Sequence, residues 1–205
     1  MPSFDLLSIG HSNLAAERFV AMLQGAAVGT LADVRSVPHS RHFPWFCKSA
    51  LAARLAAADI AYVAMGATLG GRPRDDRLYR SGVADYEAVA AQPEFRAGLD
   101  QVLDAAARSR LCLMCAEREP LDCHRFLLVA RRLAERGMAV GHILHDGTIE
   151  PQAATEARLL ALDGEGCDLF AAGQREQLAA AYRRRAQAVA YRQKPRAPDQ
   201  VTGKR

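Results

Sequence analysis

Two cysteines, a histidine, an arginine and a glutamate lie close together around one predicted strand-to-helix turn. Cys115-Ala116-Glu117 ends an apolar run at Leu111–Met114, and Cys123-His124-Arg125 opens a helical pattern eight residues after Cys115. In open α/β sheets, ligands bind at the carboxyl ends of strands, where helix N-termini offer free backbone N–H groups. This segment is therefore predicted to carry a site.

The residue types at this turn suit acid–base and nucleophilic chemistry. The positive end of the helix dipole would lower the pKa of the Cys123 thiol, and His124 beside it would reinforce the effect. Cys115 is a candidate partner thiol or nucleophile, with Glu117 or His124 as general acid or base. The structural alternative is that both cysteines are small buried hydrophobic residues. The catalytic candidates are Cys115, Glu117, Cys123 and His124.

Arg125 has two interpretations. A cation in the first turn of a helix opposes the helix dipole unless an anion is near, so Arg125 is expected either to bind an anionic ligand or to pair with Glu117 or Glu119. A phosphatase or sulfurtransferase loop is excluded. Such a loop needs an arginine six positions after its cysteine, where this chain has Leu121, and Pro120 removes a required N–H group.

No metal site is predicted, and no cofactor is identified. Cys115, Cys123, His124 and Glu117 include zinc-ligating types. However, adjacent residues of one helix point about 100° apart, and so Cys123 and His124 are not expected to share an ion.

Polar residues also follow the first two predicted strands. Because the carboxyl ends of parallel strands lie at one edge of a sheet, these residues are expected to line one crevice that suits a phosphate or carboxylate. Asp33 and Arg35 have the alternative of pairing with each other. Gly70-Gly71-Arg72-Pro73-Arg74 is a candidate basic lip. The substrate-binding candidates are His11, Ser12, Asp33, Arg35, Ser40 and Arg125.

Short apolar runs alternate with helical patterns through most of the chain. This alternation predicts an α/β fold: a mostly parallel sheet of about five strands with helices on both faces. From Pro151 the pattern is helical only, so residues 1–150 are predicted as an α/β domain and 151–205 as a helical C-terminal extension with a basic tail. The expected strands are Leu6–Gly10, Thr30–Val34, Ile60–Met65, Leu111–Met114 and Val140–Leu144.

Composition limits the class of protein. Half of the 205 residues are hydrophobic and 24% are charged, which is typical of a globular domain. No apolar run approaches the roughly 18–20 residues of a membrane span, and no signal peptide is evident, so no membrane partner and a cytoplasmic location are expected. Five cysteines at uneven spacing disfavour a secreted disulfide framework. The sequence does not predict an oligomeric state.

The end of the chain is basic. Residues 175–205 hold nine Lys/Arg against two acidic residues, whereas the whole chain has a net charge of +4. Such a tail is expected to contact nucleic-acid phosphates non-specifically, and the alternative is a solvated terminus. The candidate contacts are Arg183, Arg184, Arg185, Arg192 and Lys194.

Together these motifs resemble those of the family catalogued as "domain of unknown function 488". The resemblance covers roughly residues 4–150 and rests on Ile9-Gly10-His11-Ser12, Ala32-Asp33-Val34-Arg35-Ser36-Val37-Pro38, Gly70-Gly71, Leu113-Met114-Cys115-Ala116-Glu117 and Cys123-His124-Arg125. It implies a compact α/β protein without an assigned reaction. It also implies a shared signature of His11, Asp33, Arg35, Cys115, Glu117, Cys123, His124 and Arg125.

The leading functional hypothesis is an enzyme that acts on a phosphate-bearing substrate, either a small molecule such as a nucleotide or a nucleic acid. A non-catalytic module that binds anions or nucleic acid is the first alternative. A redox switch through Cys115 and Cys123 is the second, and it requires Cα atoms within about 7 Å of each other.

Overall fold

The structure, a computed structural model, describes residues 4–163 and 171–193. Six strands form one sheet in the order β3-β2-β6-β1-β7-β8, and every neighbouring pair is parallel except β7 with β8. These strands are β1 (Leu6–Gly10), β2 (Thr30–Asp33), β3 (Ala61–Ala64), β6 (Leu111–Cys115), β7 (Val140–Ile143) and β8 (Ile149–Pro151). Two further short strands, β4 (Tyr79–Arg80) and β5 (Val83–Ala84), form a separate antiparallel hairpin.

Helices connect and cover these strands. They are α1 (Ala16–Gly25), α2 (Lys48–Ala56), α3 (Gly66–Leu69), α4 (Tyr86–Ala90), α5 (Pro93–Ala106), α6 (Arg131–Ala134), α7 (Gln152–Asp163) and α8 (Ala171–Val189). A π-helix at Arg125–Ala130 runs directly into α6. The predicted α/β fold with a mostly parallel sheet and a helical C-terminal extension is confirmed. The antiparallel edge strand β8 and the small hairpin were not predicted from the sequence.

The two faces of the sheet bury separate hydrophobic clusters. One cluster joins the sheet to α1 and α2 through Phe19, Leu23 and Leu51. The other joins it to α5, the π-helix and α8 through residues that include Phe95 and Phe126. All five residues of β1 and all five of β6 are buried, as expected for central parallel strands that are covered on both faces.

The strand order determines where the polar motifs meet. Because β6 lies between β1 and β2, Gly10 is paired with Cys115 and Asp33 with Met114. The segments that follow β1, β2 and β6 therefore leave the sheet side by side at one edge. This is the arrangement predicted from the sequence.

The C-terminal extension packs against the main body of the protein. The His142 ring, buried in β7, is hydrogen-bonded to Oε1 of Gln152 at 2.8 Å, and the Gln152 amide donates to the Tyr182 hydroxyl at 2.7 Å. The extension is thus joined to the sheet by a buried polar chain. The division at residue 150 stays a prediction, and residues 194–205 of the basic tail, Lys194 included, lie outside the described residues.

Among the described residues, no helix combines the length and the apolar character that crossing a membrane would require.

Candidate functional site

The helix after β6 begins later than predicted. A 3-10 turn at Pro120–Asp122 precedes Cys123, whose backbone is extended at φ −132° and ψ 138°. The Cys123 carbonyl accepts the N–H groups of Phe126 and Leu127, which makes Cys123 the N-cap residue. The expectation that Cys123 opens the helix was therefore wrong, because the 3-10 turn displaces the helix start.

This extended residue brings two adjacent side chains together. One ligand atom each from Cys115, Glu117, Cys123 and His124 lies within 4.8 Å of the others. The sequence argument against a shared ion assumed that Cys123 and His124 both belong to one helix. Since Cys123 has strand-like dihedral angles, that geometric objection does not apply.

The Glu117 carboxylate lies at the centre of these four side chains, here called the Cys/Glu/His cluster. Its Oε2 accepts hydrogen bonds from the Cys115 thiol at 2.8 Å and from the Cys123 thiol at 3.0 Å. Nδ1 of His124 is 3.5 Å from the Cys115 sulfur and 4.0 Å from the Cys123 sulfur. The cluster therefore groups four reactive side chains that are separated by up to nine positions in the chain.

A backbone carbonyl fixes the orientation of the His124 ring. Its Nε2 lies 3.0 Å from the carbonyl oxygen of Val34. Because a carbonyl can only accept, Nε2 carries a hydrogen and donates it. In the neutral ring this leaves the lone pair on Nδ1, which faces the two thiols.

The two thiols differ in their tendency to ionise. Burial opposes a charge on Cys123, but the hydrogen bond from Cys115 and the nearby Arg125 guanidinium hold the pKa of Cys123 well below its usual range. Burial raises the pKa of Cys115 well above its usual range. The Cys123 sulfur also accepts the backbone N–H of Arg125 at 3.4 Å, so Cys123 is the thiol of the pair that ionises more readily.

The other two members of the cluster respond to this charge. Burial and the neighbouring Cys123 raise the pKa of Glu117. Burial would lower the pKa of His124, but hydrogen bonding to Cys123 and its charge raise it. The cluster thus shares its protons between a carboxylate, an imidazole and two sulfur atoms.

Arg125 is hydrogen-bonded to the backbone of the loop that follows β6. Its side chain is fully buried, and its guanidinium donates to the backbone carbonyls of Glu117 at 2.7 Å and of Arg118 at 3.0 Å. It pairs with neither the Glu117 nor the Glu119 carboxylate among the bonds of the described residues, so the pairing interpretation needs correction, and anion binding by Arg125 stays a prediction. Arg125 holds the loop between β6 and the π-helix, because a buried carbonyl needs a donor.

Asp33 and Arg35 form a buried ion pair beside the cluster. The Arg35 guanidinium donates to both Asp33 carboxylate oxygens, at 2.9 and 2.6 Å, and Tyr62 donates to the same carboxylate at 2.7 Å. Arg35 also lies 3.2 Å from Nε2 of His11, whose Nδ1 contacts the Ser12 carbonyl. Burial lowers the pKa of His11 to about 4, so His11 is a neutral acceptor rather than a cationic anion binder.

The remaining substrate-binding candidates are divided. The Ser12 hydroxyl donates to the Asn13 side chain, and Ser40 accepts the Phe43 N–H at 3.1 Å within its own loop. A cavity opens above the Cys/Glu/His cluster. Arg35 borders this cavity, and neither serine does. Of these candidates, Arg35 lines the cavity, and His11 and Asp33 contact Arg35.

A cavity of about 370 Å³ opens above the Cys/Glu/His cluster. Cys115, Glu117 and His124 belong to its wall, and Cys123 lies behind them. Sequence reasoning missed Tyr86 and Tyr191, because α4 and the C-terminal extension that carry them are distant from Cys115 in the chain. Further wall residues are Ser36, Val37, His39, Gly71, Arg72, Ala116, Asp122 and Val189.

Two features shape this cavity, here called the cluster pocket. Gly71 lies so close to His124 that a Cβ at position 71 would be 2.7 Å from the ring, so only glycine fits without a shift. The Arg72 guanidinium lies 4.8 Å from the centre of the Tyr191 ring, a cation–π contact. The Gly70-Gly71 pair thus allows close packing, and Arg72 forms part of the predicted basic lip.

Comparison with known proteins places the chain in a family. No curated protein and no solved structure matches it significantly. The family model described as "Domain of unknown function DUF488" matches residues 15–132, which include β6, the Cys/Glu/His cluster and Asp33 and Arg35. The chain belongs to the DUF488 family.

Proposed function

We propose that this protein is an enzyme whose reacting groups are Cys115, Glu117, Cys123 and His124 and whose substrate is a small phosphate-bearing molecule. The observation that carries the proposal is the grouping of one ligand atom from each of these four side chains within 4.8 Å, beside a cavity whose wall includes three of the four. Strongly shifted pKa values in a cleft are typical of functional sites, and all four groups have shifted pKa values here.

Cys115 is the group that attacks the substrate in this proposal, because Cys115 borders the cluster pocket and Cys123 does not. Its thiol already donates to Glu117 at 2.8 Å. As the sulfur bonds to the electrophilic atom, the bond from that atom to the leaving group breaks, and Glu117 passes the thiol proton to the leaving group. Water then hydrolyses the new bond to sulfur and restores the thiol. The raised pKa of Glu117 brings the carboxylate closer to the thiol in basicity and supports this role.

The cluster pocket favours a small molecule over a polymer. Its volume of about 370 Å³ is near the lower end of the roughly 300–1,000 Å³ that ligand pockets span. Arg72 and His39 are exposed groups at its wall and supply donors for a phosphate. The proposed nucleic-acid contacts of the C-terminal arginines have less support, because Arg185 donates to the Leu121 carbonyl and pairs with Asp122.

We expect Glu117→Gln to abolish most turnover and to leave binding largely intact. Phosphorus NMR of a nucleotide and phosphomonoester mixture should show new resonances with the wild type, which identify the substrate. Loss of a general base typically costs about 10²–10⁴-fold in rate, and the variant should fall in this range. Glu119→Gln is the matched control, since Glu119 pairs with Arg158 and is outside the cluster pocket.

The same experiment separates the first alternative from an enzyme. If a nucleotide binds to the wild type, as measured by calorimetry, but is recovered unchanged, the protein is a binding module. If Glu119→Gln loses as much turnover as Glu117→Gln, the assignment of the base is wrong. Absence of both binding and turnover would contradict the whole proposal.

A redox switch is a second candidate, supported by one observation. Cys115 and Cys123 are both free thiols, and both sulfur atoms contact the same oxygen of Glu117. A disulfide needs an S–S distance of about 2.05 Å, so oxidation would require the sulfur atoms to displace the carboxylate between them. Mass spectrometry after mild oxidation would detect such a Cys115–Cys123 bond.

A further inference from the structure

We propose that the Cys/Glu/His cluster binds one Zn²⁺ ion, with Cys115, Cys123 and His124 as ligands and Glu117 as the fourth donor. Two thiolates, an imidazole and a carboxylate are the ligand types that zinc prefers, whereas hard cations such as Mg²⁺ and Ca²⁺ prefer oxygen alone. This inference goes beyond the proposed function, because it describes a metal-bound state of the same side chains and zinc binding does not depend on turnover.

The distances within the cluster are close to those of a tetrahedral site. Zn–S and Zn–N bonds of about 2.3 and 2.0 Å place sulfur and nitrogen ligands about 3.5 Å apart. The observed separations from Nδ1 of His124 are 3.5 Å to Cys115 and 4.0 Å to Cys123. The Glu117 oxygen, at 2.8 and 3.0 Å from the two sulfur atoms, needs to move outward by less than about 1 Å to complete the site.

The surroundings are also arranged as those of a metal ligand. A histidine that binds a metal usually donates its other ring N–H to a carboxylate or a backbone carbonyl. His124 does so, with Nε2 donating to Val34 and Nδ1 facing the thiols. The backbone N–H of Arg125 donates to the Cys123 sulfur, which stabilises a thiolate ligand in the same way.

The charges balance when zinc is included. Two thiolates, one carboxylate and a neutral imidazole carry three negative charges, and Zn²⁺ leaves one. The buried Arg125 guanidinium, bonded to the Glu117 carbonyl directly behind the cluster, offsets that remaining charge. A buried group of charges is stable only when it is paired in this way.

Zinc and nucleophilic attack exclude each other, because both use the Cys115 sulfur. In the zinc-bound protein Cys115 is a ligand, and its thiolate is not available to a substrate or an alkylating reagent. The chelator-stripped protein should therefore be alkylated at Cys115, and the zinc-loaded protein should be protected.

The test is metal binding by the full chain, stripped with a chelator under reducing conditions. Competition with a chromophoric chelator should give one Zn²⁺ per chain with a Kd of about 50 nM or lower. Co²⁺ in place of zinc should show tetrahedral d–d bands and thiolate charge-transfer absorption. Cys115→Ser and His124→Asn should each weaken zinc binding by more than about 100-fold. Loss of a residue that only hydrogen-bonds to a metal ligand already weakens metal binding by about 10–100-fold.

Cys47→Ser is the matched control, because Cys47 is a partly buried thiol that donates to the Ser40 carbonyl away from the cluster. It should bind zinc like the wild type. If a cysteine variant fails to fold, Glu117→Gln tests the fourth donor instead, because the Glu117 side chain is partly exposed. Failure to bind one ion, a Co²⁺ spectrum without thiolate absorption, or equal weakening by Cys47→Ser would overturn the proposal.

Metal binding and the proposed function can fail separately. Zinc binding without turnover of any phosphate compound would leave the metal site intact and reject the enzyme. Turnover by a protein that binds no zinc would support the enzyme and reject the metal site.

Discussion

Gly10→Ala should destabilise the protein by about 3 kcal/mol or more, at the upper end of the cost of overpacking a buried site. Gly10 ends β1 next to Cys115, and a Cβ there would lie 1.8 Å from the backbone carbonyl oxygen of Glu117. Because the obstacle is backbone rather than a flexible side chain, the loop that holds Glu117 has to move. Urea unfolding followed by circular dichroism would measure the loss.

Gly25→Ala is the control for this substitution. Gly25 ends α1, and nothing lies within 4 Å of a Cβ at that position. Its stability should stay within about 0.5 kcal/mol of the wild type or rise slightly. If Gly10→Ala were as stable as Gly25→Ala, the Glu117 loop could not pack against β1 as the structure has it.

Arg125→Met should destabilise the protein by about 3–6 kcal/mol, because two hydrogen bonds from a charged donor are lost, at roughly 1.5–3 kcal/mol each. The substitution leaves the carbonyls of Glu117 and Arg118 without the donors that Arg125 supplies. It also removes the charge that helps to hold the pKa of Cys123 low. The Cys123 thiolate should therefore form only at higher pH in the variant, which a thiol alkylation profile would show.

Two variants separate these contributions. Arg125→Lys keeps the positive charge but cannot form the two parallel hydrogen bonds of a guanidinium. It should therefore keep the pKa of Cys123 partly lowered but recover little of the lost stability. Arg54→Met, on an exposed arginine paired with Glu17, should change stability by less than about 1 kcal/mol. A fully stable Arg125→Met protein would show that Arg125 is not the residue that holds the loop.

The sheet could be predicted from the sequence because each of its main strands is marked by a local pattern of residues. Buried runs such as Leu111–Met114 are continuous and apolar, and their alternation with helical patterns leaves a parallel sheet as the simple solution. The convergence of Gly10, Asp33 and Cys115 follows from parallel strands alone. The sequence did not predict that β6 lies between β1 and β2, since strand order depends on non-local packing.

The candidate site was only partly predictable. Cys115, Glu117, Cys123 and His124 could be named from their types, because reactive groups rarely gather at one strand end by chance. Their mutual geometry could not, since it depends on the 3-10 turn at Pro120–Asp122 that leaves Cys123 extended.

The role of Arg125 needed the structure for a different reason. The sequence offered acidic side chains and an anionic ligand as its partners, whereas the structure assigns it backbone carbonyls. No residue pattern specifies a bond to a carbonyl group, because every residue has one.

The pH profile of cysteine alkylation tests the central claim, that these four side chains form one reactive centre, most directly. Metal-free Cys47→Ser protein would be treated with iodoacetamide across the pH range, and the labelled peptides would be located by mass spectrometry. The first thiol proton of the Cys115–Cys123 pair is expected to be lost well below the ordinary value of about 8.5, because the pKa of Cys123 is held low. Labelling in the cluster, reached through the pocket that Cys115 borders, should already be rapid at neutral pH, while buried Cys112, which does not border that pocket, stays unlabelled. A midpoint at or above pH 8.5, or labelling that avoids both Cys115 and Cys123, would contradict the account.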